Sequence, residues 1–477
     1  MLFNSFDFAV FLPVVYLLYW LVFNRNVMLR NVFLLAASYV FYAFWDWRFL
    51  FLIAFSSATD FFLGIHLGKT EAPRKRKTLL IVSLIINLSI LGFFKYYNFF
   101  VESFIGVFTL FGSPFEYTPL NIILPVGVSF YTFQSLSYII DIYYRKFEPT
   151  DKMINFCTFV GFFPQLVAGP IERARNLLPQ FDEKKTFDYE ATRSGLLLIA
   201  IGLFKKMVIA DRLAVFVDTV YGDIAAASGT TLPIAAGFFA FQLYFDFSAY
   251  SNIAIGTARI FGFRLSENFR RPYLSASFTE FWTRWHITLS SWFRDYVYIP
   301  LGGSRRGKMR TTINVLIVFA LSGLWHGASW NFVIWGVVNA LFMIVLDRLF
   351  GLEKPGGFKR FAAPVLVFAG WALSLVFFRV PTLSGAIEVF QNIGFTGTEA
   401  LYGFGLNAVE FKFALFILAG MMLCEIVAEK NGERMIQRFY ASRPVIRWSI
   451  YLILVLTIVY LGVYGTSNDN AFIYFQF

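Results

Sequence analysis

The chain of 477 residues is 58% hydrophobic and 15% charged, against roughly 25% charged in soluble domains, so it reads as an integral membrane protein rather than a large soluble one. A formal net charge of +11 would suit nucleic acid, but the Lys and Arg side chains fall between apolar stretches rather than on one face. Positive-inside topology accounts for that pattern, and no nucleic-acid partner is expected. The 62 Phe, 24 Tyr and 11 Trp suit lipid-facing surfaces and interfacial belts.

Apolar stretches predict membrane spans at 6–23, 31–47, 49–66, 78–99, 120–143, 154–170, 194–216, 233–262, a pair within 311–346, then 361–380, 411–428 and 446–464. The first follows no Lys or Arg and precedes no small-residue cleavage site, so it is a retained span rather than a signal peptide. Basic loops alternate with neutral or acidic ones. Arg25 and Arg30 follow the first span, Lys69 and Arg74 to Lys77 the third, Arg145 and Lys146 the fifth, whereas 101–119 carries Glu102 and Glu116 with no Lys or Arg. Segment 381–410 is likewise free of Lys and Arg, and 430–447 is rich in them. The alternation predicts one polytopic membrane domain, 1–477, with an external N-terminus, a cytoplasmic 430–447 loop and an external tail, 465–477. Segments 171–193 and 263–310 mix charges with aromatics and read as interfacial or re-entrant helices. No internal repeat is visible, which disfavours an inverted-repeat transporter. Cys157 and Cys424 lie in separate apolar stretches and are read as small buried side chains, not a disulfide.

The sharpest feature is Leu324-Trp325-His326-Gly327, inside a run, 311–346, that contains no Lys, Arg, Asp or Glu. At ~1.5 Å per residue the run is too long for one ordinary span and barely long enough for two. Basic residues flank both ends, so the chain enters and returns, with its turn near 322–327. That places an imidazole at depth, where a break is tolerated only if it lines a protein cavity. A neutral imidazole in a dry site suits general-base chemistry; the alternative is a packing residue capping the helix break. His286 follows Phe281-Trp282-Thr283-Arg284-Trp285, in a segment unsuited to lipid, and is either an interfacial hydrogen-bonding residue or a partner of His326.

Gln134, Asp246, Tyr250, Ser251 and Asn252 are polar positions inside apolar stretches, suited to the wall of a wet tunnel that Trp325 would complete, or to helix–helix hydrogen bonding. Arg305, Arg306 and Lys308 either grip the phosphates of a large anionic donor or simply signal topology. The scattered histidines and cysteines predict no metal site, and no phosphate loop, dinucleotide fingerprint or Gly-x-Ser-x-Gly elbow is present.

Several stretches together resemble the membrane-bound O-acyltransferase family, in particular its bacterial branch acting on alginate and related polysaccharides. They are Phe130-Tyr131-Thr132-Phe133-Gln134-Ser135, Phe163-Pro164-Gln165-Leu166, Tyr244-Phe245-Asp246-Phe247-Ser248, Phe281-Trp282 through His286, Tyr298-Ile299-Pro300-Leu301-Gly302-Gly303, Leu324-Trp325-His326-Gly327 and Phe472-Ile473-Tyr474-Phe475-Gln476-Phe477. The resemblance implies an all-α helical ring around a central tunnel, with His326 as catalytic histidine and His286 where many relatives carry another polar residue, often Asn or Asp. It also implies acetyl-CoA as the donor substrate with no bound cofactor, a polysaccharide acceptor, membrane lipid around the chain, and an extracytoplasmic partner of the SGNH-hydrolase-like type. The tail would dock that partner or anchor at the membrane surface. Two further functions remain open: D-alanyl transfer to teichoic acid from a carrier-protein thioester, and transport without covalent chemistry.

Overall fold

The computed structural model describes residues 1–112, 117–227, 229–352, 356–357, 359–394, 399–464 and 472–473, and every regular element among them is helical. The chain forms two compact units: Met1–Leu196 with Ala254–Ser266 and Gly327–Ser329, and Leu197–Ile253 with Glu267–His326 and Trp330–Phe477.

The first unit contains α1 (Phe6–Leu21), α2 (Val27–Asp46), α3 (Leu50–Lys69), α4 (Pro73–Leu91), α5 (Tyr97–Leu110), α6 (Val128–Tyr143), α7 (Met153–Gly161), α8 (Ala174–Leu177) and the start of α9 (Tyr189–Leu203). Their starts carry the expected chemistry: Ser5 and Asn26 accept first-turn N–H groups of α1 and α2, and Pro73 occupies the first turn of α4. Polar groups inside the unit are matched. Asp60 on α3 accepts from Ser83 Oγ at 2.6 Å and Asn87 Nδ2 at 2.8 Å on α4. Arg30, fully buried, donates to the carbonyls of Phe181 and Glu183 and so fixes the irregular 171–193 segment.

The second unit holds the rest of α9, a π-helical stretch (Phe204–Ala210), α10 (Asp211–Gly222) and most of α11 (Thr231–Ile260). After these come α12 (Phe278–Arg284), α13 (Ile287–Phe293), α14 (Lys308–His326), α15 (Trp330–Leu341), α16 (Asp347–Leu349), α17 (Lys359–Arg379), α18 (Leu383–Asn392), α19 (Ala408–Ala441) and α20 (Pro444–Leu461). Its core is aromatic: Trp285, Trp335 and Trp371 are almost wholly buried, packed with Phe281 and Tyr273.

Eight helical stretches among the described residues are long and apolar enough to cross a membrane, and the chain is a multi-pass membrane protein. Several expected boundaries move. The span at 120–143 is helical only from Val128, because Pro125 and a left-handed Gly127 (φ 78°) precede it. The span at 154–170 stops being helical at Gly161, ahead of Pro164, and 162–171 runs on as buried irregular chain. In the other direction, segment 101–119 is helical through Leu110, and the basic segment 430–447 continues α19 to Ala441. Hydropathy marks where lipid ends, not where backbone hydrogen bonding ends. Cys157 is buried as expected, but Cys424 lies on the outer side of α19.

The enter-and-return pair is present as α14 and α15, joined by Gly327–Ser329. Two glycines let the antiparallel backbones touch. A Cβ on Gly323 would stand 2.1 Å from the Phe332 carbonyl oxygen, and one on Gly336 2.1 Å from that of Phe319. Neither obstacle is a side chain that could swing away. Gly323→Ala or Gly336→Ala is therefore expected to cost about 1–3 kcal/mol, read as a lowered unfolding temperature in detergent, with the double variant less than additive because both act on one interface.

Candidate active site

All the groups described next except Gln134 lie in the second unit. His326 is the last residue of α14, and its ring is enclosed by aromatics, with centroids 5.0 Å from Trp325, 5.1 Å from Trp335 and 5.6 Å from Phe378. The α14–α15 backbone contact places Trp335 here. Asn339 and Asn331 on α15 reach α17 through Ser374 Oγ (3.3 Å) and the Val380 carbonyl just beyond its end (2.7 Å), so α17 brings Phe378 to the same ring.

His286 arrives by a different device. It stands between α12 and α13 with φ 44° and ψ 54°, a left-handed conformation that non-glycine residues seldom adopt. Both sides of that kink are pinned. Asp347 accepts from the N–H groups of Phe278 and Thr279 (2.8 Å each), capping α12 from a distant helix. Asn268 accepts from Ile287 N with its carbonyl (2.9 Å) and from Thr288 N (3.2 Å) and Thr288 Oγ1 (2.9 Å) with its side chain, capping α13. The His286 ring meets Phe247 of α11 edge-on at 4.7 Å and lies 6.4 Å, centroid to centroid, from His326. Trp325 touches both imidazoles, at 5.9 Å and 5.0 Å. Burial pushes the His286 imidazolium well below its ordinary range and the neighbouring His326 adds to this, so His286 is neutral at pH 7.

A cavity of about 430 Å³ opens beside this pair. It is lined mainly by α12, α13 and α14, with Trp282, Ile287, Ser290, Arg294, Phe319 and Ser322 on its walls. Neither histidine lines it directly. Ser322 is one helical turn before His326, Ile287 follows His286, and the Trp282 ring on the wall lies 6.0 Å from Trp335.

The other expected tunnel residues disperse. Ser251 supports the site indirectly, at 3.5 Å from Asn268 Nδ2. Tyr250 packs against Phe472 instead, with centroids 5.1 Å apart. Asp246 is bound to Lys206 at 2.7 Å, in a buried ion cluster rather than an open wall. Asn252 is half-buried on α11. Gln134 lies on α6 in the first unit, buried, its side-chain oxygen without a hydrogen-bond partner among the described residues. Arg305 and Arg306 are exposed on the turn before α14 and Lys308 is exposed at its first position; none of the three lines the cavity, whereas Arg294 does. Sequence reasoning missed Asn268, Phe247 and Asp347, whose residue types are ordinary and whose partners are distant along the chain.

The profile of the membrane-bound O-acyltransferase family, MBOAT, matches residues 150–371, a window that contains both histidines. Over 431 residues the chain is 40% identical to the probable alginate O-acetylase AlgI of Pseudomonas aeruginosa, covering 89% of this chain and 81% of that protein. The chain belongs to the membrane-bound O-acyltransferase family. Among its other MBOAT relatives, the peptidoglycan O-acetyltransferase of Helicobacter pylori aligns over all of this chain and 98% of its own length at 32% identity. The teichoic acid D-alanyltransferase of Bacillus subtilis matches less, at 28% over 48% of this chain and 60% of that protein. As an MBOAT protein the chain is an O-acyltransferase.

Two measurements follow from this geometry. Asn268→Ala strips the side-chain acceptor of Thr288 from the first turn of α13, leaving the backbone carbonyl on Ile287 N–H, and should lower turnover at least tenfold, with Asn268→Asp, which keeps an acceptor oxygen, falling less. In spectra of isotope-labelled histidine, simplified by there being three in the chain, the resonance lost in His286→Asn should remain that of a neutral ring where an ordinary histidine is already protonated. Protonation in the ordinary histidine range would contradict the stated environment.

Proposed function

We propose that this chain is a membrane O-acetyltransferase that moves an acetyl group from a cytoplasmic thioester, acetyl-CoA, towards hydroxyls of a polysaccharide on the opposite side of the membrane. Relatives named as alginate and peptidoglycan O-acetyltransferases align over most of their length, whereas the D-alanyltransferase aligns over about half of this chain, which favours acetyl over D-alanyl transfer. The observation that carries the reading is the closeness of two buried imidazoles. A hydrogen bond of ~2.8 Å to a ring nitrogen puts an oxygen about 4 Å from the ring centre. Rings 6.4 Å apart can therefore share one oxygen atom.

In this mechanism His326 takes the proton of the attacking hydroxyl as its oxygen bonds to the thioester carbonyl carbon. His286, neutral, donates a hydrogen bond that orients that hydroxyl or steadies the oxyanion. Collapse of the tetrahedral adduct breaks the carbon–sulfur bond, and the His326 imidazolium returns the proton to the leaving thiolate. A neutral His286 matters here, since a second positive charge would oppose the first. The apolar cavity gives the acyl-bearing arm of the donor a route ending one turn from His326, past Trp282, with Arg294 on its wall meeting the phosphates. Arg305, Arg306 and Lys308 add attraction at the exposed turn. Alternating loop charge supports a donor side at the basic loops and an external N-terminus, and the family resemblance supports an SGNH-like extracytoplasmic partner that completes transfer to the polymer. Residues 465–471 and 474–477 of the tail assigned to that partner lie outside the described residues.

Purified protein given labelled acetyl-CoA, or in parallel a D-alanyl-charged carrier protein, tests the reading. Acetyl transfer should predominate, and His326→Ala should lower it by about 10²–10⁴ without lowering detergent stability. Persistent acetylation in His326→Ala removes the assignment, and solute flux without thioester turnover would favour transport. Replacing Arg305, Arg306 and Lys308 together by Gln should raise the KM for acetyl-CoA several-fold and leave kcat near that of the unaltered protein.

A further inference from the structure

One charged cluster in the second unit is buried far more deeply than topology requires. Lys206, in the π-helical stretch Phe204–Ala210, places Nζ 2.8 Å from Asp211 Oδ1 and 2.7 Å from Asp246 Oδ1, with all three side chains nearly inaccessible. Such a cluster gives little stability over apolar residues of the same volume, so its retention calls for a use. The remaining oxygen of Asp246 shows one: Oδ2 accepts from the backbone N–H of Ile473 at 2.8 Å. Lys206 Nζ also sits 4.7 Å over the ring of Phe472, whose edge meets Tyr250. Phe472 and Ile473 are both buried.

The same stretch and the first turn of α10 hold the chain where it leaves α20. Val463 N–H donates to the Met207 carbonyl (2.8 Å), and Arg212 of α10 donates to the Leu461 carbonyl (2.7 Å). A π-helical register suits this, because widening the turn turns carbonyls away from their usual intrahelical donors. Leu461 and Val463 are thus fastened to residues 207–212, and Phe472 and Ile473 to Lys206 and to its ion partner Asp246 on α11. Their placement bears on the histidines through α11. Asp246 and Tyr250, four residues apart on one face, hold the C-terminal segment, while Phe247 and Ser251, one position further round, hold the His286 ring and Asn268.

We propose that Lys206, Asp211 and Asp246 form a positioning clamp that seats the C-terminal segment, through Phe472 and Ile473, on the α11 wall next to the histidine pair. The clamp acts on the reaction through that wall and touches no substrate. Its catalytic consequence rests on reading His286 and His326 as the reacting centre; its existence does not.

The test uses full-length protein in detergent, in a Cys157→Ala, Cys424→Ser background with Ile473→Cys as reporter. Maleimide should label the reporter slowly, and Asp246→Asn should speed labelling at least tenfold. Unchanged labelling in Asp246→Asn overturns the clamp, whatever happens to thermal stability. Turnover is then read in protein with Ile473 intact. Asp246→Asn, and separately Ile473→Pro, which deletes the N–H donor, also changes the side chain, and leaves the charged residues of the ion cluster in place, should each lower kcat at least tenfold with KM for acetyl-CoA within twofold. The double variant should be no worse than the poorer single one. Normal kcat in Ile473→Pro, or multiplying losses in the double variant, overturns the positioning role. Labelling needs no turnover, so absence of acetyl transfer in the unaltered protein would sink the proposed function and leave the clamp result standing.

Discussion

Backbone-to-backbone contact between α14 and α15 is the constraint on which the surroundings of His326 rest. Glycine at 323 and 336 removes the side chains that would hold the two helices apart, and the carbonyls of Phe332 and Phe319 fill the space. Once the helices are that close, the end of α14 has little choice of surroundings. Trp335 must cover one side of His326, and the Asn331 and Asn339 hydrogen bonds bring Phe378 to another. The imidazole is boxed in before any substrate arrives, so ordering costs are met in folding rather than in the reaction.

The second histidine is held by polar rather than apolar means. A left-handed residue between two short helices is costly by itself, and a helix of seven residues is not stable in isolation. Asp347 and Asn268 offset those costs by taking up the N–H groups that the two helix starts would leave unsatisfied. Both capping residues come from elsewhere in the chain, which ties the kink to the tertiary structure. Strain at His286 is thus maintained by its neighbours, as is usual where geometry serves a reaction. The neutral His286 ring, enclosed by aromatics, disfavours a positive charge beside it, and this is a property of its surroundings rather than of its own sequence segment.

Much was legible before any coordinates. An imidazole in a charge-free run too long for one span announces a break, and the break lies at 327–329, just beyond the expected 322–327. The mixed charges and aromatics of 263–310 read as interfacial or re-entrant helices rather than a span, and the segment contains α12 and α13, seven residues each. Elsewhere the neighbours of a residue were not legible from its own segment. Asp246 looked like a tunnel carboxylate because its partners, Lys206 and the N–H of Ile473, are 40 and 227 residues away. The basic turn at 305–308 drew attention by its charge density, while Arg294, which lines the cavity, is a lone arginine in an aromatic stretch. Local pattern reports the average surroundings of a segment and says little about which neighbour a given side chain will meet.

The sequence by itself determined the membrane class, the helical architecture, the family and the candidacy of His326 and His286, because each depends on composition or on residues close together in the chain. Tertiary structure alone decided that the two imidazoles lie 6.4 Å apart, that Asn268 and Asp347 cap the helices on either side of His286, and that Ile473 N–H meets the buried Asp246. The physical reason is the same in each case. These arrangements are created by contacts between distant segments, whose geometry depends on how whole helices pack, and no periodicity within one segment encodes that distance.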